Sequence, residues 1–202
     1  MYIQVIQGTC HEEATLKRQL DRWHEDLAPG ADGWLGWTCG TTDADLFVGV
    51  IRFESREAAQ RNSDRPEQGD WWEETSGCFD GEVTFHDCDD VIVLLDGGSD
   101  DAGFVQVVQG QIENAQRLRD LMSRPMDELR EMRPEIIGGT VAVNDDGWFN
   151  QTFAFRSEDE ARRGEGQEMP AEQQREWESM MSQVSDMTYL DLHRPWFASA
   201  GS

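Results

Sequence analysis

Lysine is almost missing from this 202-residue chain: its seventeen basic residues include one lysine, Lys17, and they face forty-one acidic residues, for a formal charge of −24. A field of that sign repels nucleic-acid phosphate and anionic lipid before any specific contact forms, so neither is an expected partner. The imbalance reads mainly as a solubility feature, which an arginine bias or a salt-rich cytoplasm explains as readily as function does. Long apolar runs are missing too. The longest, such as Val91 to Leu95, fall far short of the ~20 residues that cross a bilayer. The four cysteines, Cys10, Cys39, Cys78 and Cys88, show no C-x-x-C spacing, and Met1-Tyr2-Ile3-Gln4 lacks the basic start of a secretion signal. A reduced, cytoplasmic protein is the expectation. There is no G-x-S-x-G, no P-loop, no G-x-G-x-x-G after a strand and no zinc-spaced Cys or His set, so hydrolase, nucleotide-binding and zinc readings have no support.

What is present is enough apolar surface for a core, with 38% hydrophobic residues and eight tryptophans, and the composition of a disordered chain is absent. The sequence also repeats itself. Tyr2-Ile3-Gln4-Val5-Ile6-Gln7-Gly8 matches Phe104-Val105-Gln106-Val107-Val108-Gln109-Gly110, an offset of 102 at which each change is aromatic for aromatic or β-branched for β-branched. Phe53 to Arg61 matches Phe155 to Arg163 at the same offset, and Leu16 and Leu27 match Leu118 and Leu129. After a short insertion Pro66 falls on Pro170 and Trp72-Glu73 on Trp177-Glu178. The expected organisation is a first repeat over 1–96, an acidic Gly-rich linker over 97–103 and a second, diverged repeat over 104–202.

Each repeat reads in one order. In the first, residues 2 to 8 form a β-branched-rich strand, and Leu16, Leu20, Trp23 and Leu27 form a helical stripe that Pro29-Gly30 ends. Strands over 33–39 and 46–53 follow, joined by the turn Thr41-Thr42-Asp43-Ala44. Ser55 then caps a helix that a break near Pro66 divides, and short strands over 82–87 and 91–95 close the unit. The order β-α-β-β-α-β is the ferredoxin-like arrangement, an α+β fold with helices on one face of an antiparallel sheet. A first strand apolar on both sides implies that the other face is covered as well, and the second repeat is the simplest cover. The expected fold is therefore tandem ferredoxin-like units forming an intramolecular dimeric α+β barrel, a pseudo-dimer that leaves the chain a monomer or weak dimer.

Pro29-Gly30, Gly33-Trp34-Leu35-Gly36-Trp37, Leu46 to Ser55, Glu57-Ala58 and the Trp71-Trp72 helix together resemble the antibiotic biosynthesis monooxygenase type of dimeric α+β barrel domain. The resemblance covers nearly all of the first repeat. The second departs from it, with Arg133-Pro134-Glu135 in place of the Pro-Gly loop and Gly138-Gly139 in place of the aromatic strand centre. These motifs concern turns and packing, and the fold hosts oxygenases, isomerases, heme-degrading enzymes and proteins without assigned role. The resemblance implies a ligand pocket between sheet and helices in each half.

His86, in a terminal strand beside Val83 and Phe85, is the leading catalytic candidate, as a base, proton relay or metal ligand, with a strand-end histidine bonded to Asp87 as the plainer reading. Five residues are candidates for substrate binding. Gln4 and Gln106 place the same amide in a strand of Ile and Val, where it needs a partner, either a ligand or a neighbouring carbonyl. His24 follows Trp23 at the edge of the apolar stripe. Trp72 and Trp177 coincide on the second helix, either as pocket walls, as the resemblance to heme-degrading relatives implies, or as core anchors. No metal site is expected.

Three functions fit. The first is a cofactor-independent monooxygenase acting on an apolar aromatic small molecule. The second is a heme-binding or heme-degrading protein, for which no histidine stands out as an axial ligand. The third is a non-catalytic small-molecule-binding or assembly protein with packed-shut cores.

Overall fold

The computed structural model describes residues 1–97, 100–114, 116, 119, 126–168 and 170–201. Leu118, the repeat partner of Leu16, and two residues of the acidic linker lie outside the described residues. The chain divides into two compact units, Met1–Asp89 with Arg194–Ser202, and Asp90–His193.

The first unit begins with β1 (Tyr2–Thr9) and α1 (Glu13–Arg22), which runs on through a π-helical turn, Trp23–Leu27, and a short 3₁₀ turn, Ala28–Gly30. β2 (Trp34–Thr41) and β3 (Leu46–Phe53) form the central hairpin, then come α2 (Arg56–Ser63), α3 (Pro66–Ser76) and β4 (Asp80–Cys88). Local chemistry accounts for the breaks. The Ser55 hydroxyl accepts from the Ala58 amide at 3.3 Å and caps α2. Pro66 opens α3 at a first-turn position where its missing N–H costs nothing.

β1 pairs antiparallel with both β3 and β4, and β2 with β3, giving the order β4-β1-β3-β2 of a ferredoxin-like sheet. Alternation sorts its two faces. Tyr2, Trp37, Cys39, Phe47 and Phe53 join Leu16, Leu20, Trp23, Ala58 and Trp71 of the helices in one core. Ile3, Val5, Val48 and Val50 point the other way and are also buried, so β1 is covered on both sides, as its unbroken apolar pattern requires.

The second unit holds β5 (Asp90–Leu94), β6 (Phe104–Ile112), α4 (Met126–Met132), β7 (Ile136–Val143), β8 (Trp148–Phe155), α5 (Glu158–Glu165), α6 (Ala171–Met181) and β9 (Val184–Leu192). Its sheet order is β5-β7-β8-β6-β9. The chain is thus an α+β protein of two tandem ferredoxin-like units.

The last strand of each repeat is exchanged. β5 follows β4 after the single residue Asp89, too short a link to reverse the chain into a hairpin. It pairs instead with β7, Val91 facing Ala142 and Val93 facing Thr140. In return β10 (Trp196–Ser199) lies along β2, with Ala198 opposite Trp37 and Ser199 opposite Gly36. Gly36 has φ 141°, and a Cβ there would run into the Ala198 carbonyl oxygen, so glycine is what lets β10 approach. Among the described residues, no helix is long and apolar enough to cross a membrane.

Candidate functional site

Between the sheet and helices of the first unit lies a cavity of about 80 Å³, partly open to solvent. β1 supplies Gln4 and Ile6 on its helix-facing side, β2 and β3 supply Trp37, Phe47, Ile51 and Phe53, and the helices supply Trp23, Trp71 and Trp72. The π-helical turn places Trp23 and Leu27 inward after Leu16 and Leu20. Trp23 then meets Trp34, Trp37 and Trp71 with ring centroids 5.1, 5.2 and 6.4 Å away, in edge and tilted arrangements.

The polar groups on the wall are mostly tied down. The Trp23 indole N–H donates to Gln68 Oε1 at 2.6 Å, and Asn62 Nδ2 donates to the same oxygen at 3.3 Å. Arg65 donates to Asn62 Oδ1 and to the Leu27 carbonyl, both at 3.0 Å. Ser63 donates to the Ala59 carbonyl at 3.1 Å. Thr75 differs: it is 1% exposed, and its hydroxyl has no hydrogen-bond partner. The lining contains no His, Asp, Glu, Lys, Arg, Cys or Tyr.

Gln4 reaches from the cavity wall to Asp87, its Nε2 donating to Oδ1 at 3.0 Å. Tyr2 donates its hydroxyl to the same carboxylate oxygen. Burial, and then that hydrogen bond, raises the Tyr2 phenol above its ordinary range, so it stays protonated. The Arg56 guanidinium stands 5.2 Å over the Tyr2 ring, its Nε donating to the two Asp89 carboxylate oxygens at 2.9 and 3.1 Å and its Nη2 to one of them.

The second unit rebuilds this cluster with different parts. Gln106 donates to Asp191 at 3.2 Å and to Glu165 at 2.9 Å, and Arg162 lies 5.3 Å over the Phe104 ring while pairing with Asp191. Repeat alignment sets Glu158 opposite Arg56 and His193 opposite Asp89. The Arg56–Asp89 contact therefore recurs with the acidic partner on the other side, as Glu158 and His193 at 3.0 Å. Glu158, Asp191 and His193 bring ligand atoms within 4.8 Å of one another. Arg162 already supplies the cation there, bonded to both carboxylates.

Two of the residues singled out in the sequence, Gln4 and Trp72, meet at the cavity. His86 does not. It sits opposite Val5, and paired residues of an antiparallel sheet share a face, so its ring lies on the side of the sheet away from the cavity. Burial lowers its pKa, with Asp87 opposing the shift. His24 packs beside the Trp34 and Trp37 rings, centroids 5.7 and 5.9 Å away, outside the lining. Gln106 is held by two carboxylates of the second unit, and Trp177 is 38% exposed on α6. The sequence reading missed Asn62, Gln68 and Thr75. Thr75 carried a usable signal, since the Trp72–Trp177 register sets a buried methionine, Met180, against a polar residue on the same helical stripe.

No protein-family model and no curated protein sequence matches the chain. Solved structures do share its fold. A putative monooxygenase from Lactobacillus acidophilus NCFM aligns over 99% of this chain and 96% of its own, with TM-score 0.74 and 14% identity. An anthrone oxidase-like protein aligns over 100% and 94%, with TM-score 0.71 and 10% identity. A ferredoxin-fold protein from Listeria monocytogenes 4b F2365, described as related to antibiotic biosynthesis monooxygenases, aligns over 97% and 96%, with TM-score 0.53 and 10% identity. The chain has the tandem ferredoxin-like fold of these monooxygenase-related structures along its whole length.

Proposed function

We propose that the first unit binds a small planar apolar molecule in its aromatic cavity and oxygenates it with molecular oxygen, without a bound cofactor. One observation carries the binding half: a wall of tryptophan and phenylalanine that contains no ionisable group. Such a wall favours flat apolar ligands by contact and dispersion and disfavours charged ones, which would lose hydration without compensation. The oxygenation half is supported by the names of the structures that share the fold, a monooxygenase and an anthrone oxidase-like protein.

Without a base on the wall, the substrate must lose its proton through its own acidity, as phenols and anthrone-type ketones do. The carbanion or phenolate then reduces oxygen itself, and the dry cavity protects the reactive intermediate. For anthrone the balance is one oxygen molecule consumed, one oxygen atom entering the methylene carbon as a ketone, and the other leaving as water with that carbon's two hydrogens. Heme does not fit this site. No His, Cys, Tyr or Met lines the cavity to ligate iron, and no Arg or Lys on its wall would meet heme's propionates.

The test is oxygen uptake in an electrode with anthrone as substrate and the full chain as catalyst. Uptake above the uncatalysed rate, with anthraquinone formed in equal amount, supports the reading. Saturable binding of anthrone with no added uptake would leave a binding protein, the reading that the absence of a wall base favours.

A further inference from the structure

The two repeats fold alike, yet at the cavity they differ where a ligand's polar group would be met. Thr75 lies on α3, one turn after Trp71, among the residues that line the cavity. A helical threonine usually returns its hydroxyl to the carbonyl one turn back. Here the hydroxyl does not, and at 1% exposure bulk water does not reach it. Leaving a buried hydroxyl unmatched is unfavourable, so its retention calls for an account. The other cavity amides and hydroxyls named above have partners within the fold.

In the second repeat the matching places hold different chemistry. Met180, 5% exposed, stands for Thr75 and belongs to an apolar cluster with Val108, Val141 and Phe149. Gly164 stands for Asn62, and the Glu135 carboxylate fills the space a side chain would take there. The hydroxyl and amide of one copy are replaced by a methionine and a filled gap in the other.

We infer that ligand recognition belongs to the first unit alone, and that the Thr75 hydroxyl binds the single oxygen of the ligand, a phenolic hydroxyl or a ring ketone. This rests on the aromatic cavity being a binding site and adds its specificity. The flat apolar body lies against Trp23, Trp71 and Trp72, while Thr75 selects molecules with one hydrogen-bonding oxygen over plain hydrocarbons of the same shape. A site that presents an unmatched polar group discriminates strongly in this way, because the hydrocarbon leaves that group unpaired.

Calorimetric titration of the full chain with 1-naphthol and with naphthalene tests it, since the probes differ by one oxygen. The expected wild-type result is one site per chain and 1-naphthol bound about tenfold tighter, the size of one net hydrogen bond. Thr75→Val should bind both probes equally, near the wild-type affinity for naphthalene, while Thr75→Ser keeps the preference. Should Thr75→Val not fold, Thr75→Ala makes the same comparison. A preference that persists in Thr75→Val, or two equivalent sites per chain, overturns the inference and leaves the cavity reading standing. Failure of the wild-type protein to bind either probe overturns both.

Discussion

At the scale of single residues, polar atoms in apolar surroundings carry most of the information. Gln4 was legible in the sequence as an amide that needed a partner, because a strand of Ile and Val offers none of its own. That the partner is Asp87, with Tyr2 on the same oxygen, depends on β4 lying beside β1, a long-range pairing that local pattern does not specify. His86 shows the same limit from the other side. Its alternation with Val83 and Phe85 was readable, but which of the two sets faces the helices is settled only by the register with β1. Its lowered pKa yields a prediction about stability. A histidine that resists protonation when folded contributes stability at pH above its unfolded value of about 6.5, and that contribution is lost as pH falls towards the lowered folded value. The melting temperature should therefore drop between pH 7 and pH 5, and His86→Gln should flatten part of that drop. An unchanged pH profile in the variant would assign the drop to other groups. Gln68 allows a sharper test. Its Oε1 accepts from both Trp23 and Asn62, so Gln68→Met should orphan two donors and cost about 2–3 kcal/mol in denaturant unfolding.

At the scale of elements, the β-α-β-β-α-β order was visible because apolar periodicity, the Ser55 cap and the Pro66 break each report a local event. The exchange of final strands was not visible. Val91 to Leu95 reads as a strand in isolation, and nothing in its own residues says which sheet it joins; the one-residue link after β4 is the only hint, and it matters only once β4 itself has been placed. The aromatic cavity was hidden for a related reason: its tryptophans come from three separate elements, and Asn62, Gln68 and Thr75 look like ordinary residues of polar helices. The exchange closes an edge of the first sheet, because β10 occupies the side of β2 that would otherwise present unpaired backbone groups. Gly36 permits that closure. Gly36→Ala would add both a strained positive φ and a collision with the Ala198 carbonyl oxygen, so β10 should detach while the four-stranded core persists. Amide hydrogen exchange should then show lost protection at residues 196–199 with protection retained in β1 and β3. Uniform loss across the sheet would mean instead that β10 is integral to folding.

For the whole molecule the governing quantity is charge. With forty-one acidic and seventeen basic residues, ion pairing cannot neutralise the surface even if every cation finds a partner, and a formal excess of twenty-four negative charges remains. Many pairs that do form are exposed, such as Lys17–Asp21 and Arg22–Glu74, and exposed pairs contribute only about 0–1 kcal/mol each. Repulsion among the remaining acids is thus the larger electrostatic effect on the folded chain, and it acts against compactness. Salt weakens both effects, but the repulsive one has more to lose. The screening length shrinks from roughly 10 Å at 0.1 M salt to roughly 3 Å at 1 M, so most of the relief should arrive early in a titration. The melting temperature should rise steeply with sodium chloride up to a few tenths molar and then level off. A rise that stays linear to molar salt would point to general solute exclusion from the surface rather than screening. A fall would show that the paired networks around Arg56 and Arg162 outweigh the net charge, and would reverse the argument.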